Sequence, residues 1–152
     1  MPDAAVIQVG QMIVERLAGW PELNHFTVCY NPSTENATSE EAGDTINVYP
    51  VDHTFEVALQ QWQTLHTPIY EVEIITREPG DGTSLSNAGG NAIAHVVAAI
   101  ASDRSFGNQL QDVQETDVGG TVANGRDANG MSIQFRAEFY TSRNDWFTIV
   151  AP

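Results

Sequence analysis

Lysine is missing altogether. The six basic residues, Arg16, Arg77, Arg104, Arg126, Arg136 and Arg143, are all arginine, and they face 20 acidic residues for a net charge of −14. Phosphate binding needs cations that displace counterions, so this balance argues against nucleic acid as a bound ligand and, on the same grounds, against an anionic membrane. It also leaves no lysine for a phosphate-cradling loop. Cysteine is down to Cys29, which excludes an internal disulfide; within the run Phe26-Thr27-Val28-Cys29-Tyr30 it reads as a small core hydrophobe. No apolar run approaches the length of a membrane-spanning helix. The start, Met1-Pro2-Asp3-Ala4, shows neither a basic region nor an apolar leader, so the expectation is synthesis and use without secretion, and the sequon at Asn36 then carries no meaning. No internal repeat is present.

What remains is ample for a folded chain. With 152 residues, 41% of them hydrophobic, the length predicts a single domain over residues 1–152 that buries a core without staples. Val6, Ile7, Met12, Ile13 and Leu17 predict an amphipathic helix from Asp3 to Ala18, with Asp3 as its cap and Gly19 as its stop. A short strand, His25 to Tyr30, precedes a polar stretch, Asn31 to Asp44, without apolar periodicity. Its Glu35, Glu40, Glu41 and Asp44 make it a long acidic loop and the first place to expect a mobile partner contact.

Thr45 to Pro50 is a second strand, and Phe55 to Leu65 reads as strand followed by turn. Ile69 to Glu78 is the clearest strand, with Tyr70, Val72, Ile74 and Thr76 alternating with Glu71, Glu73 and Ile75, so that one sheet face is partly acidic. A Gly- and Ser-rich connection, Gly80 to Gly90, leads to a helix from Asn91 to Ser102. A turn, Asp103 to Asn108, then precedes a strand from Leu110 to Asp117. Gly119-Gly120 and Asn129-Gly130 fall in a wide hairpin connection before the last strand, Met131 to Thr141. The order predicts an α+β fold: a mostly antiparallel β-sheet flanked by two α-helices on one side.

The sequence carries no motif for catalysis or metal binding. His25, His53, His66 and His95 lack a His or Cys partner at zinc spacing, and no nucleophile elbow is present. Gly80-Asp81-Gly82-Thr83-Ser84-Leu85 begins like a dinucleotide fingerprint but has Leu85 where the third glycine belongs. Asp127-Ala128-Asn129-Gly130 resembles part of a calcium loop, yet the first and twelfth positions fall on Gly125 and Arg136, so both essential carboxylates are missing. The acidic pairs Glu40-Glu41 and Glu71/Glu73 read as solvated charge. No catalytic residue, metal or cofactor is assigned, and an interaction or assembly protein is the remaining reading.

From the second helix onward the order of segments resembles the tail terminator, or tail completion, proteins of long-tailed bacteriophages, the group that includes the lambda minor tail protein U. The resemblance is carried by the Ala-rich helix Asn91 to Ile100, the abrupt turn Asp103-Arg104-Ser105-Phe106-Gly107, the strand around Val113, and the closing strand Phe135 to Thr141 with Ser142-Arg143-Asn144-Asp145 after it. The N-terminal helix and the strand from Pro68 to Thr76 fit the same plan. The resemblance implies a structural virion protein at the tail–neck junction, assembled in the host cytoplasm. It further implies a homo-hexameric ring that caps the tail tube protein, ends tube polymerisation, meets head-completion or neck proteins, and lets genomic DNA pass its lumen without specific binding.

Ring closure needs one patch meeting a different patch on the neighbour. Exposed aromatic and Arg positions near the sheet ends are the candidates: Phe106, Tyr140, Arg143, Asn144, Asp145, Trp146 and Phe147. Trp146 and Phe147 stand equally for folding back on the chain's own core. Three sources of the acidity stay open: a negative lumen that repels DNA, solubility at high copy number, and a high-salt environment. Two other readings also stay open, another head–tail connector or neck ring, and a stand-alone ligand- or ion-binding module; an enzyme is the most distant.

Overall fold

The computed structural model describes residues 3–30, 43–57, 62–77, 85–121 and 129–152. Helix α1 (Ala5–Ala18) is followed by a single 3-10 turn (Pro21–Leu23), then strands β1 (Thr27–Tyr30), β2 (Thr45–Val57) and β3 (Gln63–Thr76), helix α2 (Leu85–Ala101), and strands β4 (Asp112–Thr121), β5 (Asn129–Ser142) and β6 (Asp145–Val150). The strands form one sheet in the order β1-β2-β3-β5-β4, with β6 pairing the far end of β5. Among the described residues β1 and β2 run parallel and the other pairings are antiparallel. Both helices lie on one face, α1 against β1 and β2 and α2 against β3 and β5. The architecture is α+β, as the patterning predicts.

Period-2 alternation sorts the sheet. Ile46 and Val48, Tyr70, Val72 and Ile74, and Ile133, Phe135, Ala137 and Phe139 are buried toward the helices. They meet Val9, Ile13 and Leu17, spaced by one helical turn on α1, and Val96, Ala99 and Ile100 on α2. The Tyr70 hydroxyl crosses the interface and donates to the carbonyl of Val6. The opposite face is polar: Glu71 accepts from the Tyr49 hydroxyl, which burial and this bond push up in pKa, and Arg136 donates to Gln114 across to β4. Cys29 belongs to this second face. It pairs Asn47 on the edge strand β1 and is half-buried, so it is not the core hydrophobe its apolar neighbours predict.

Gly10 shows how closely α1 is seated. A Cβ there would fall 2.2 Å from Cε2 of Tyr30. Gly10→Ala would add about 1 kcal/mol of helix propensity. Overpacking costs about 1–3 kcal/mol, so the expected net result is a lower midpoint of denaturant unfolding with the slope unchanged.

Several boundaries move, each for a physical reason. Helix α1 begins at Ala5 with Ala4 as an unassisted cap; the Asp3 carbonyl instead accepts from the Gln8 amide at 2.7 Å and its carboxylate from the Gln11 amide at 3.3 Å. Helix α2 starts six residues earlier than the pattern predicts, taking in Gly89 and Gly90. Gly89 is buried, so packing outweighs the helix cost of glycine. Strands β2 and β3 are much longer than expected because their prolines do not end them. Pro50 stands at a bulge, where the register shifts before Asp52, and Pro68 lies in the gap between the paired residues His66↔Phe139 and Ile69↔Arg136. Gly119 and Gly120 sit inside β4, and Asn129-Gly130 opens β5. Strand β6 is not signalled by the sequence pattern.

Candidate interaction surfaces

The lengthened β2–β3 hairpin makes an arm that continues past the helix-covered part of the sheet. Beyond the bulge its β2 side is largely exposed, and it presents Val51, Phe55 and Val57 to solvent. Trp62, just before β3, is 80% exposed. The Arg143 N–H donates to the Trp62 carbonyl at 2.9 Å, which fixes the β5–β6 turn, with Arg143 and Asn144, beside that tryptophan. Phe147, 46% exposed, adds to the same end of the sheet. Exposed apolar groups gathered at one end of a sheet are candidates for a contact surface.

Under the arm the helix-side face holds a histidine pair that spacing in the sequence conceals. Phe55 and His66 are cross-strand partners, and His53 lies one pair further along the same face. His53 Nε2 and His66 Nδ1 are 2.9 Å apart, and His66 Nε2 lies 2.8 Å from Thr141 Oγ1. Phe139 stacks on His66, and Trp146 packs edge-on against His66 and within 4.8 Å of Phe55 between ring centroids. Trp146 thus folds back onto its own chain, whereas Phe147 beside it faces outward. Burial lowers the His66 pKa to about 4, reinforced by His53, and burial also lowers His53 against the opposing pull of Asp52.

The sign follows from linkage. Unfolded histidine binds its proton near pH 6.5 while folded His66 does not until about pH 4. Between those values the unfolded chain holds more protons, so stability falls as pH drops through that window. Thermal unfolding from pH 7 to 4.5 is expected to show a decline of several degrees that His66→Gln makes shallower; parallel curves would show that the pair does not set it.

The other sequence candidates lie elsewhere. Phe106 is not an exposed contact residue: it is 6% exposed and packs in the core. Its turn is built around Asp103, whose carboxylate accepts the N–H groups of Ser105 at 3.0 Å and Gly107 at 2.7 Å and the Ser105 hydroxyl at 2.7 Å. Those bonds hold the carboxyl below its usual range. They fix three successive residues, Phe106, Gly107 and Asn108, at positive φ. The Arg16 guanidinium lies 4.1 Å over the Phe106 ring and donates to the carbonyls of Ala99 and Asp103, both at 3.1 Å. Arg104 ties the turn to the sheet edge through Glu115 at 2.8 Å. Beside Phe106, Met12, Glu15, Arg16 and Gln109 line a surface cavity of about 310 Å³.

Asp44 also departs from expectation. It is 8% exposed, accepts the Arg77 N–H at 2.6 Å, and lies 3.8 Å from His25, so it anchors the start of β2 and is no mobile contact. Glu35, Glu40 and Glu41 lie outside the described residues, as do Asp127 and Arg126. Tyr140 is half-buried on the polar face opposite Leu65, and Asp145 accepts the Phe147 N–H at 2.9 Å, which lowers its pKa. Among the described residues no group of three or more His, Cys, Asp or Glu side chains is arranged to hold a metal, and no helix is long and apolar enough to cross a membrane.

No protein-family model matches the chain, and no curated protein sequence matches it. Among solved structures, a chain from the virion of a native gene transfer agent particle is similar to it, with a TM-score of 0.55 at 14% identity, over 91% of this chain and all of that one. At that identity the likeness concerns the fold.

Proposed function

We propose that this chain is a structural virion protein, working by shape and multivalent contact without catalysis or cofactor. In this reading it is a tail terminator, forming one domain over residues 1–152: six copies close into a ring on the tail tube, stop its polymerisation, and offer a surface to neck or head-completion proteins. The observation that carries the proposal is the fold likeness, over 91% of this chain, to a chain of a gene transfer agent virion, joined to an arm whose Val51, Phe55 and Val57, with Trp62 beside them, are exposed among the described residues. The exposed arm supports a role in contact.

Charge supports a lumen for DNA. Each copy carries −14, and two of the arginines that would otherwise grip phosphate are engaged internally: Arg16 with Ala99, Asp103 and Phe106, and Arg77 with the Gly43 carbonyl at 2.7 Å. A duplex would slide past such a surface without adhesion. Another position in the same particle, a connector or neck ring, shares the fold argument, and binding to isolated tail tubes separates the two.

Light scattering across protein and salt concentration, with negative-stain images, is the test. A particle of six subunits with a central hole that binds tube ends is expected. A monomer at every concentration, alone and with tubes, would overturn the ring.

A further inference from the structure

We infer that the arm of one copy docks in the cavity between α1 and the Asp103–Leu110 turn of the next, with Trp62 as the inserted side chain and Arg143 beside it meeting Glu15. This inference rests on the ring proposed above and names its contact. Three observations lead to it.

The first is an aromatic exposed among the described residues. Trp62 is 80% exposed, so it does not fill the cavity of its own chain. A tryptophan that becomes buried removes about 150–250 Å² from water and is among the residues that dominate contact energetics. The second is the receptor. The cavity of about 310 Å³ is lined by Met12, Glu15, Arg16, Phe106 and Gln109. An indole seated there packs on Met12 and Arg16, a sulfur-bearing side chain and a cation that both attract an aromatic ring, while Phe106, covered by Arg16, offers little free surface. Arg16 is already held in place by two backbone carbonyls, so little side-chain freedom is lost when the indole arrives.

The third observation is charge. In a chain of −14, the β5–β6 turn places the exposed Arg143 beside Trp62, and the cavity lining includes the exposed Glu15. Seating the indole therefore brings opposite charges together at the rim. The occupant is thus a second copy of this chain: one molecule carries both halves of a complementary contact on different elements, which is what a head-to-tail interface requires.

Two variants test it. Trp62→Ala removes the inserted side chain, and Gln109→Trp places an indole on the cavity lining to fill it from within; both positions are exposed, and thermal unfolding verifies that each variant folds. Each alone is expected to lose self-association by at least about 30-fold. Mixed in equal amounts they retain one intact arm and one intact cavity, and light scattering should show a complex of two subunits and nothing larger. If Trp62→Ala still forms the wild-type ring, or if the two weakened variants do not pair, the docking is wrong and the ring stands. A wild-type chain that never self-associates overturns both.

Discussion

Phe106→Ala is expected to lower stability by about 3–5 kcal/mol, the range for removing a buried phenylalanine. Against a typical net stability of about 5–15 kcal/mol this is a large share, and in a chain of this length it corresponds to a fall in Tm of about 10 °C. The loss has two sources. The ring leaves a void among the core residues, and Arg16 loses the surface it covers at 4.1 Å while its bonds to Ala99 and Asp103 remain. Arg16→Met, which keeps an apolar stem over the ring but gives up the guanidinium, should cost less. Equal losses in the two variants would mean that the cation rather than the buried ring holds the turn. The positive φ of Phe106 sharpens the point: a non-glycine residue persists there only when its surroundings determine it. Here the Asp103 carboxylate and the buried ring do so together.

The sheet and helices were legible because their periodicities survive in the sequence. Tyr70, Val72 and Ile74 alternate with Glu71 and Glu73, so the fold class and the buried sheet face follow from pattern; on α1 the pattern gave Ile13 and Leu17 correctly, but Val6, Ile7 and Met12 are only half-buried and Val9 fills the core in their place. The arm was not legible. Pro50 and Pro68 read locally as strand ends, and only the bulge at Pro50/Asp52 and the register gap around Pro68 let the hairpin continue through them. The histidine pair was hidden for the same reason: His53 and His66 are thirteen residues apart and meet only once the hairpin register is known. Phe106 read as exposed because it follows a polar turn signal; tertiary contact with Arg16 on a helix ninety positions earlier buries it. The signal that could have placed it is Asp103-x-Ser105, an aspartate positioned to accept N–H groups from the turn that it starts.

Charge reversal at the rim of the inferred contact should give the largest effect on assembly. Arg143→Glu is expected to weaken self-association at least about 100-fold, because a like pair across an interface costs several kcal/mol. Net charge alone would predict weakening too, since the chain is already at −14 and the variant becomes more acidic. Glu15→Arg separates the explanations. It makes the chain less acidic, so a general repulsion model predicts tighter rings, whereas local pairing with Arg143 predicts weaker ones. The double variant restores opposite charges with the partners exchanged, and its association should return to within about tenfold of the wild type. Both groups are exposed, so salt well above the physiological range should shrink the differences among the four proteins. Tighter association of Glu15→Arg alone, measured by light scattering at low salt, would remove Glu15 from the contact and leave Trp62 to carry it.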